Sequence, residues 1–232
     1  MHPPSKQRPI LFSSPMVRAI LYGRKKQTRR VIKPQPVGAD FHSPEWFSPC
    51  VVGRDGEQRP GPDTFGISQY DGEWSIKCPF GAPGNILWVR ETWKAMDADW
   101  KVVEAPDDLD GTRWPHVSYR ADHIDPNGDG PANPIKWRTP IHMPRWASRI
   151  TLEITDVRIE RLNDISEADA IAEGCQCAGV PGSLTNREAY AKLWESINGQ
   201  GSWHVNPFVW VLEYKRVPRG EQRTGPSRQA TS

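Results

Sequence analysis

The segment Arg149 to Leu162, RITLEITDVRIERL, leaves this chain the fewest choices of fold. Its apolar and polar residues alternate over many positions, which predicts a long, half-buried, bent β-strand. A strand of that length needs a long partner. Pro207 to Val217 (PFVWVLEYKRV), rich in valine and aromatic residues, is the other segment that reads as a substantial strand.

Around these two strands the elements are mixed. Ile10 to Phe12 read as a short strand, after which Ser13 or Ser14 caps a helix with Pro15 in its first turn. Met16, Ile20 and Leu21 fall at helical spacing, and Gly23 is placed to end the helix in a left-handed conformation. The basic turn Arg24-Lys25-Lys26 leads into a strand over Gln27 to Ile32, closed by Lys33-Pro34-Gln35-Pro36. A further strand is predicted from Ile86 to Trp93, entered through the Pro83-Gly84 turn. Two short helices follow the long strand. One is capped at Asp164 or Ser166 and stops at Gly174, and the other opens with the capping-box pair Thr185 and Glu188.

Residues 34–77 and 94–147 are rich in Pro, Gly, Asp and Trp and lack sustained periodicity. They read as two irregular insertions, the first with one short hairpin near Tyr70 to Ile76 and the second with Tyr119 on a strand. Residues 218–232 are polar and read as a disordered tail. The element order predicts an α+β fold, a single domain over residues 9–217 in which the long strands pair into a small barrel or strongly curved mixed sheet with helices plugging its open ends.

Composition removes several classes. With 232 residues, 37% hydrophobic and 25% charged, the chain can bury one good core and is not wholly disordered. No apolar run approaches the roughly 18 residues of a membrane helix, and MHPPSKQRP is not followed by the apolar stretch of a secretory signal, so a cytoplasmic protein without a membrane partner is expected. Cys50, Cys78, Cys175 and Cys177 suit a reduced compartment. Their spacing lacks the C-x-x-C pairs of structural zinc sites, so neither a metal nor a cofactor is expected.

The net charge of +2 hides a segregation. Residues 1–33 carry nine basic side chains and no acid, residues 34–214 carry 16 basic against 27 acidic, and residues 215–232 carry five against one. Basic ends are either polyanion-facing surfaces or solvated tails. The eleven tryptophans likewise have two readings, aromatic staples under long loops or platforms for bases, and most of those in the insertions read as staples.

Gly23-x-Lys25-x-x-Thr28-x-Arg30 resembles the G-x-K-x-x-[ET]-x-R signature of the ASCH domain, a PUA-like β-barrel. The Pro83-Gly84 turn into Ile86 to Glu91, the Ile154 to Leu162 strand, the helix Ile165 to Gly174 and the strand Trp210 to Lys215 extend the resemblance across residues 9–33, 78–93 and 148–217. His142-Met-Pro-Arg-Trp-Ala-Ser148 is similar to a phrase of the longer phage- and prophage-encoded members. The resemblance implies a PUA-like barrel carrying two insertions, a partner that is RNA or a modified nucleoside, and the cytoplasm of a bacterial host if phage-encoded.

Small bacterial ASCH enzymes similar to this core hydrolyse the amide of N(4)-acetylcytidine with a Lys, a Thr three residues on and a Glu from a later helix. Carried over by motif, these are Lys25, Thr28 and Glu173, which implies metal-independent acyl transfer with Thr28 as nucleophile, Lys25 as its base and Glu173 as orienting or proton-shuttling group. The residues on their own leave alternatives open. Arg24, Lys26, Arg29 and Arg30 suit lowering the Lys25 pKa, holding phosphate, or simply a solvated basic turn. Glu91 is either a second pocket carboxylate or the structural partner of an arginine. His142, Arg145 and Trp146 either line the pocket mouth, gripping a base and a phosphate, or tuck a loop onto the barrel.

Two other functions stay open beside the amidohydrolase: a non-catalytic module for single-stranded RNA or DNA, and a ribonuclease-like phage accessory protein or one acting on a host protein through the Trp-rich insertion. One basic cleft in an otherwise acidic body is expected.

Overall fold

The computed structural model describes residues 7–36, 42–69, 74–96, 102–103, 116–123, 137–177 and 183–218. Strand β1 (Gln7–Leu11) runs into Ser13, whose extended backbone caps α1 (Ser14–Leu21) with Pro15 in the first turn. Gly23 takes φ +72°, a conformation costly for any residue with a Cβ, and turns the chain back into β2 (Gln27–Val31). The first insertion holds β3 (Glu45–Phe47), β4 (Cys50–Val52), β5 (Gln58–Pro60), β6 (Thr64–Ser68) and β7 (Ser75–Lys77). Next come β8 (Ile86–Arg90), β9 (Trp93–Met96), β10 (Val102–Val103), β11 (His116–Tyr119), the long β12 (Thr151–Arg161), α2 (Glu167–Ala172), α3 (Asn186–Asn198) and β13 (Phe208–Val217).

The two long strands find each other. Strands β12 and β13 pair antiparallel along their whole length, with a register shift between Ile154 and Asp156 that supplies the bend. They form the middle of a five-stranded sheet ordered β1-β8-β12-β13-β2, in which β1 and β8 are parallel and the remaining pairs antiparallel. The fold is thus mixed α+β and mostly strand, as expected. The sheet curls until its outer strands approach, and Arg30 Nη2 on β2 donates to the Leu11 carbonyl at the end of β1, at 2.6 Å. No backbone ladder joins β2 to β1 among the described residues, so the sheet stays open along that seam.

Each face of the sheet buries its own cluster. Ile10, Phe12, Leu87, Leu152, Ile154, Trp210 and Leu212 fill one side with α1. On the other, Val209 and Val211 pack under α2 and α3 against Leu162, Ile165, Ala170, Tyr190 and Trp194. Both helices start as their sequences require: Ser166 with Asp169 and Thr185 with Glu188 form reciprocal capping boxes.

The insertions are more regular than expected. The first contains a three-stranded sheet β3-β6-β7 and a hairpin β4-β5, where one short hairpin was predicted; residues 70–73 of that prediction lie outside the described residues. In the second, β11 carries Tyr119 and pairs with β9. The strand expected over Ile86 to Trp93 is divided at Glu91 and Thr92, with β8 in the main sheet and β9 in another. Tryptophans staple both insertions: Trp46 meets Phe65 edge-on at 5.7 Å, and Trp93 and Trp146 cross at 90° and 5.8 Å. Trp100, Trp114 and the tail beyond Pro218 lie outside the described residues.

Gly66 marks how closely the first insertion packs. A Cβ there would stand 2.1 Å from the Ile76 carbonyl oxygen on β7, a backbone atom that cannot rotate away. Gly66→Ala is expected to lower stability by about 1–3 kcal/mol in urea denaturation, the usual cost of overpacking, whereas Gly56→Ala, in open space on the hairpin turn, pays only for its backbone strain.

Candidate functional site

The turn after α1 is pinned from two sides. Arg24 and Lys25 donate their N–H groups to the Ala19 carbonyl at the end of α1, at 2.8 and 3.0 Å, and Lys26 donates its own to the Ala172 carbonyl at the end of α2, at 2.7 Å. These bonds occupy helix-end carbonyls that would otherwise lack partners. They also press the Lys25 side chain against Glu173 and Gly174. Gly174 has φ +96°, and a Cβ on it would lie 3.3 Å from Lys25 Cβ and 3.2 Å from Ala19 Cβ.

The Lys25 side chain is fully enclosed. Its Nζ donates to Glu173 Oε2 at 2.6 Å and to the Glu173 carbonyl at 2.9 Å. Arg29 donates from Nη1 to the other carboxylate oxygen, Glu173 Oε1, at 3.3 Å, and from Nη2 to Glu160 at 2.8 Å, with Asp169 at 3.4 Å. Arg158 and Gln27 tie the same acids together, Arg158 through Glu160 and Asp169 and Gln27 through Asp169. One carboxylate, Glu173, therefore serves two buried cations.

Charge balance decides how Lys25 titrates. Burial pulls its ammonium below the ordinary value of 10.5; the Glu173 carboxylate opposes that pull and the nearby Arg30 guanidinium adds to it. Burial also lowers Arg30, against the attraction of Glu173. The Cys175 thiol, buried next to the same carboxylate, is pushed up to about 11.

Thr28, Arg29, Arg30 and Val31 of β2 line a small, partly open recess of about 60 Å³, together with Glu173, Met16 of α1, and Tyr190, Leu193, Trp194, Ile197 and Asn198 of α3. Thr28 is 3% exposed, and its hydroxyl makes no hydrogen bond among the described residues. The recess is not the basic cleft expected from the sequence. Lys25 and Arg29 are buried and ion-paired, while Arg24 and Lys26 are exposed on the turn outside.

The structure thus brings Thr28, Arg29, Arg30 and Glu173 together around the recess, while Lys25 is not among its lining residues and reaches it only through its bond to Glu173. It sets the other candidates elsewhere. Glu91 is buried, but Arg149 holds it with two bonds of 2.9 and 3.0 Å and bridges it to Asp122 while stacking over Tyr119 at 3.9 Å; this is the structural ion pair. Arg145 bonds Gln7 at 3.0 Å, Trp146 packs on Trp93, and His142 is exposed on a short 3-10 turn. None of the three lines the recess, so this segment is a loop tucked onto the β1 edge of the sheet and not the pocket mouth.

The recess residues from α3 were missed. Tyr190 and Trp194 sit four apart on one helical face, a spacing that reads as core, and only the curl of the sheet turns part of that face toward β2. Comparison of the chain with protein-family models, with curated proteins and with solved structures gave no match.

Two outcomes test this arrangement. Because the unfolded chain holds the Lys25 proton more tightly than the folded one, stability gains from this group as pH rises toward 10.5. A ¹⁵N NMR titration of Lys25 Nζ should give a midpoint below 10.5, and Arg30→Gln should move that midpoint upward by removing a repelling cation. Glu173→Ala leaves two buried cations facing each other and should cost about 3–5 kcal/mol in urea denaturation. Glu153→Ala, which breaks only the surface pair with Lys215, should cost under about 1 kcal/mol.

Proposed function

We propose that the chain is a PUA-like protein of the ASCH type that binds a modified nucleoside or RNA in the β2 recess and hydrolyses the amide of N(4)-acetylcytidine-like substrates. The observation that carries this reading is the enclosed Lys25–Glu173 pair at 2.6 Å, whose carboxylate residue lines the same recess as Thr28. The curl that brings Arg30 onto Leu11 supports treating the open sheet as a barrel of the PUA-like kind whose last seam is closed by side chains.

The chemistry needs no metal. Thr28 Oγ1 attacks the acetyl carbonyl carbon, and its proton passes by way of Glu173, which lines the recess, to Lys25 in its neutral form, which burial and Arg30 favour. Collapse of the tetrahedral adduct breaks the C–N4 bond, and the proton returns from Lys25 through Glu173 to the departing cytosine amine. Water then attacks the acetyl-threonine ester, releasing acetate and restoring the hydroxyl. Arg29 has a part in this: by sharing the Glu173 charge it weakens the carboxylate's hold on a protonated lysine.

Purified protein is expected to release acetate from N(4)-acetylcytidine, with the rate rising as pH removes the Lys25 proton. Thr28→Ala should lower kcat at least about a thousandfold, the scale of losing a nucleophile, while Thr28→Ser retains part of it. Absence of acetate release from the wild type, followed by chromatography, would sink the reading.

Arg24 and Lys26, exposed on either side of the buried Lys25, favour the second reading, a module that grips single-stranded nucleic acid without chemistry. Under that reading, affinity for an oligonucleotide falls steeply with salt, and neutralising either residue weakens all sequences alike.

A further inference from the structure

The recess reaches both faces of β2. Thr28 and Arg30 share one face of the strand and Arg29 and Val31 the other, yet all four line the same space. Side chains from both faces meet only around a strand's edge, and one edge of β2 is taken by β13. The recess therefore runs along the free edge of β2, between α1 and α3.

Register fixes what that edge offers. The Tyr214 N–H donates to the Lys26 carbonyl at 3.0 Å and the Ile32 N–H to the Phe208 carbonyl at 3.1 Å, and the pairs Thr28 with Leu212 and Arg30 with Trp210 continue that alternation. The main-chain groups of Gln27, Arg29 and Val31 must point away from β13. The Gln27 carbonyl accepts from the Tyr214 hydroxyl at 3.4 Å. The N–H and C=O groups of Arg29 and Val31 have no partner among the described residues, although Arg29 is only 3% exposed. Unpaired main-chain groups at a buried edge are uncommon because each forfeits its bond to water. The recess wall adds further donors without acceptors, Nε of Arg29 and Arg30 and Nε1 of Trp194.

We propose that the free edge of β2 reads the substrate base through its main chain, with the Arg29 carbonyl accepting from the 4-amino or 4-acylamino N–H of a cytosine and the Val31 N–H donating to an acceptor on the same edge of the ring. This inference rests on the nucleoside reading of the recess and names what selects the base. Two residues of open edge suit one heterocycle with a donor beside an acceptor. A peptide strand would need a longer edge than remains between the capped Gln27 and the end of β2 at Val31. Uracil carries a carbonyl where cytosine carries an N–H, so it would set oxygen against the Arg29 carbonyl and be rejected.

Calorimetric titration with cytidine and uridine, neither of which can be deacylated, tests the edge separately from turnover. Wild-type protein should bind cytidine about tenfold or more tightly than uridine, the scale of one lost hydrogen bond with a donor or acceptor left unpaired. Val31→Pro removes the outward N–H while leaving the β13 ladder intact, as proline is tolerated on an edge. It should weaken cytidine about tenfold, against less than about threefold for Val31→Ala. Equal binding of the two nucleosides, equal effects of the two variants, or no binding of cytidine would overturn the proposal. Should circular dichroism find Val31→Pro unfolded, the wild-type comparison decides alone. Selective cytidine binding without acetate release would leave the edge standing and remove the hydrolase; acetate release without base selection would do the reverse.

Discussion

Glu173 brings a negative charge into a place that is 3% exposed, and it persists there only because two cations meet it, Lys25 at 2.6 Å and Arg29 at 3.3 Å. A buried ion pair rarely adds net stability, since desolvating both charges offsets most of their attraction. What it provides is placement. Lys25 fixes the turn after α1 against the end of α2, and Arg29 fixes β2 against Glu160 on β12 and Asp169 on α2. Remove the carboxylate and three elements lose their common reference, with two like charges left in a space water barely reaches. The recess exists where these elements converge, so its shape is a consequence of the same pairing.

The sheet scaffold was legible because its signals are long or punctuated. Alternation over fourteen residues announced β12, and the phase change between Ile154 and Val157 in that pattern marks the shift in register. Gly23, Gly174, Ser166 as one of two candidate caps and the Thr185–Glu188 capping box set helix ends where the structure has them. Strands β3, β4 and β5 went unread because each is three residues long, too short for a period of two to stand out from loop composition. Their order comes from pairing across the insertion, which local pattern does not encode.

The site divides in the same way. Lys25, Thr28 and Glu173 could be named from a motif and a helix end, but the burial of Arg29 could not. A charged residue alternating along a strand reads as solvent-facing, and the acids that allow its burial lie 131 and 144 residues away. The segregated charge of the sequence misled for the same reason. Of the five cations in the signature turn and strand, two are cancelled by acids from β12 and α2, so the basic run marks an ion network and leaves only Arg24 and Lys26 as free surface charge on the turn.

Closing the sheet into a full barrel would have been the cheaper arrangement for the backbone. The outer strands already come within reach, as the Arg30 bond to the Leu11 carbonyl at 2.6 Å demonstrates. A ladder between β2 and β1 would have satisfied the outward groups of Arg29 and Val31. Among the described residues the Arg30 side chain spans the seam instead. Met16 on α1 and Trp194 on α3 add apolar surface to a recess otherwise lined by Thr28, Arg29, Arg30 and Glu173. The unpaired edge costs stability, and the fold tolerates it because Glu173, Glu160 and Asp169 anchor Arg29 of β2 to α2 and β12.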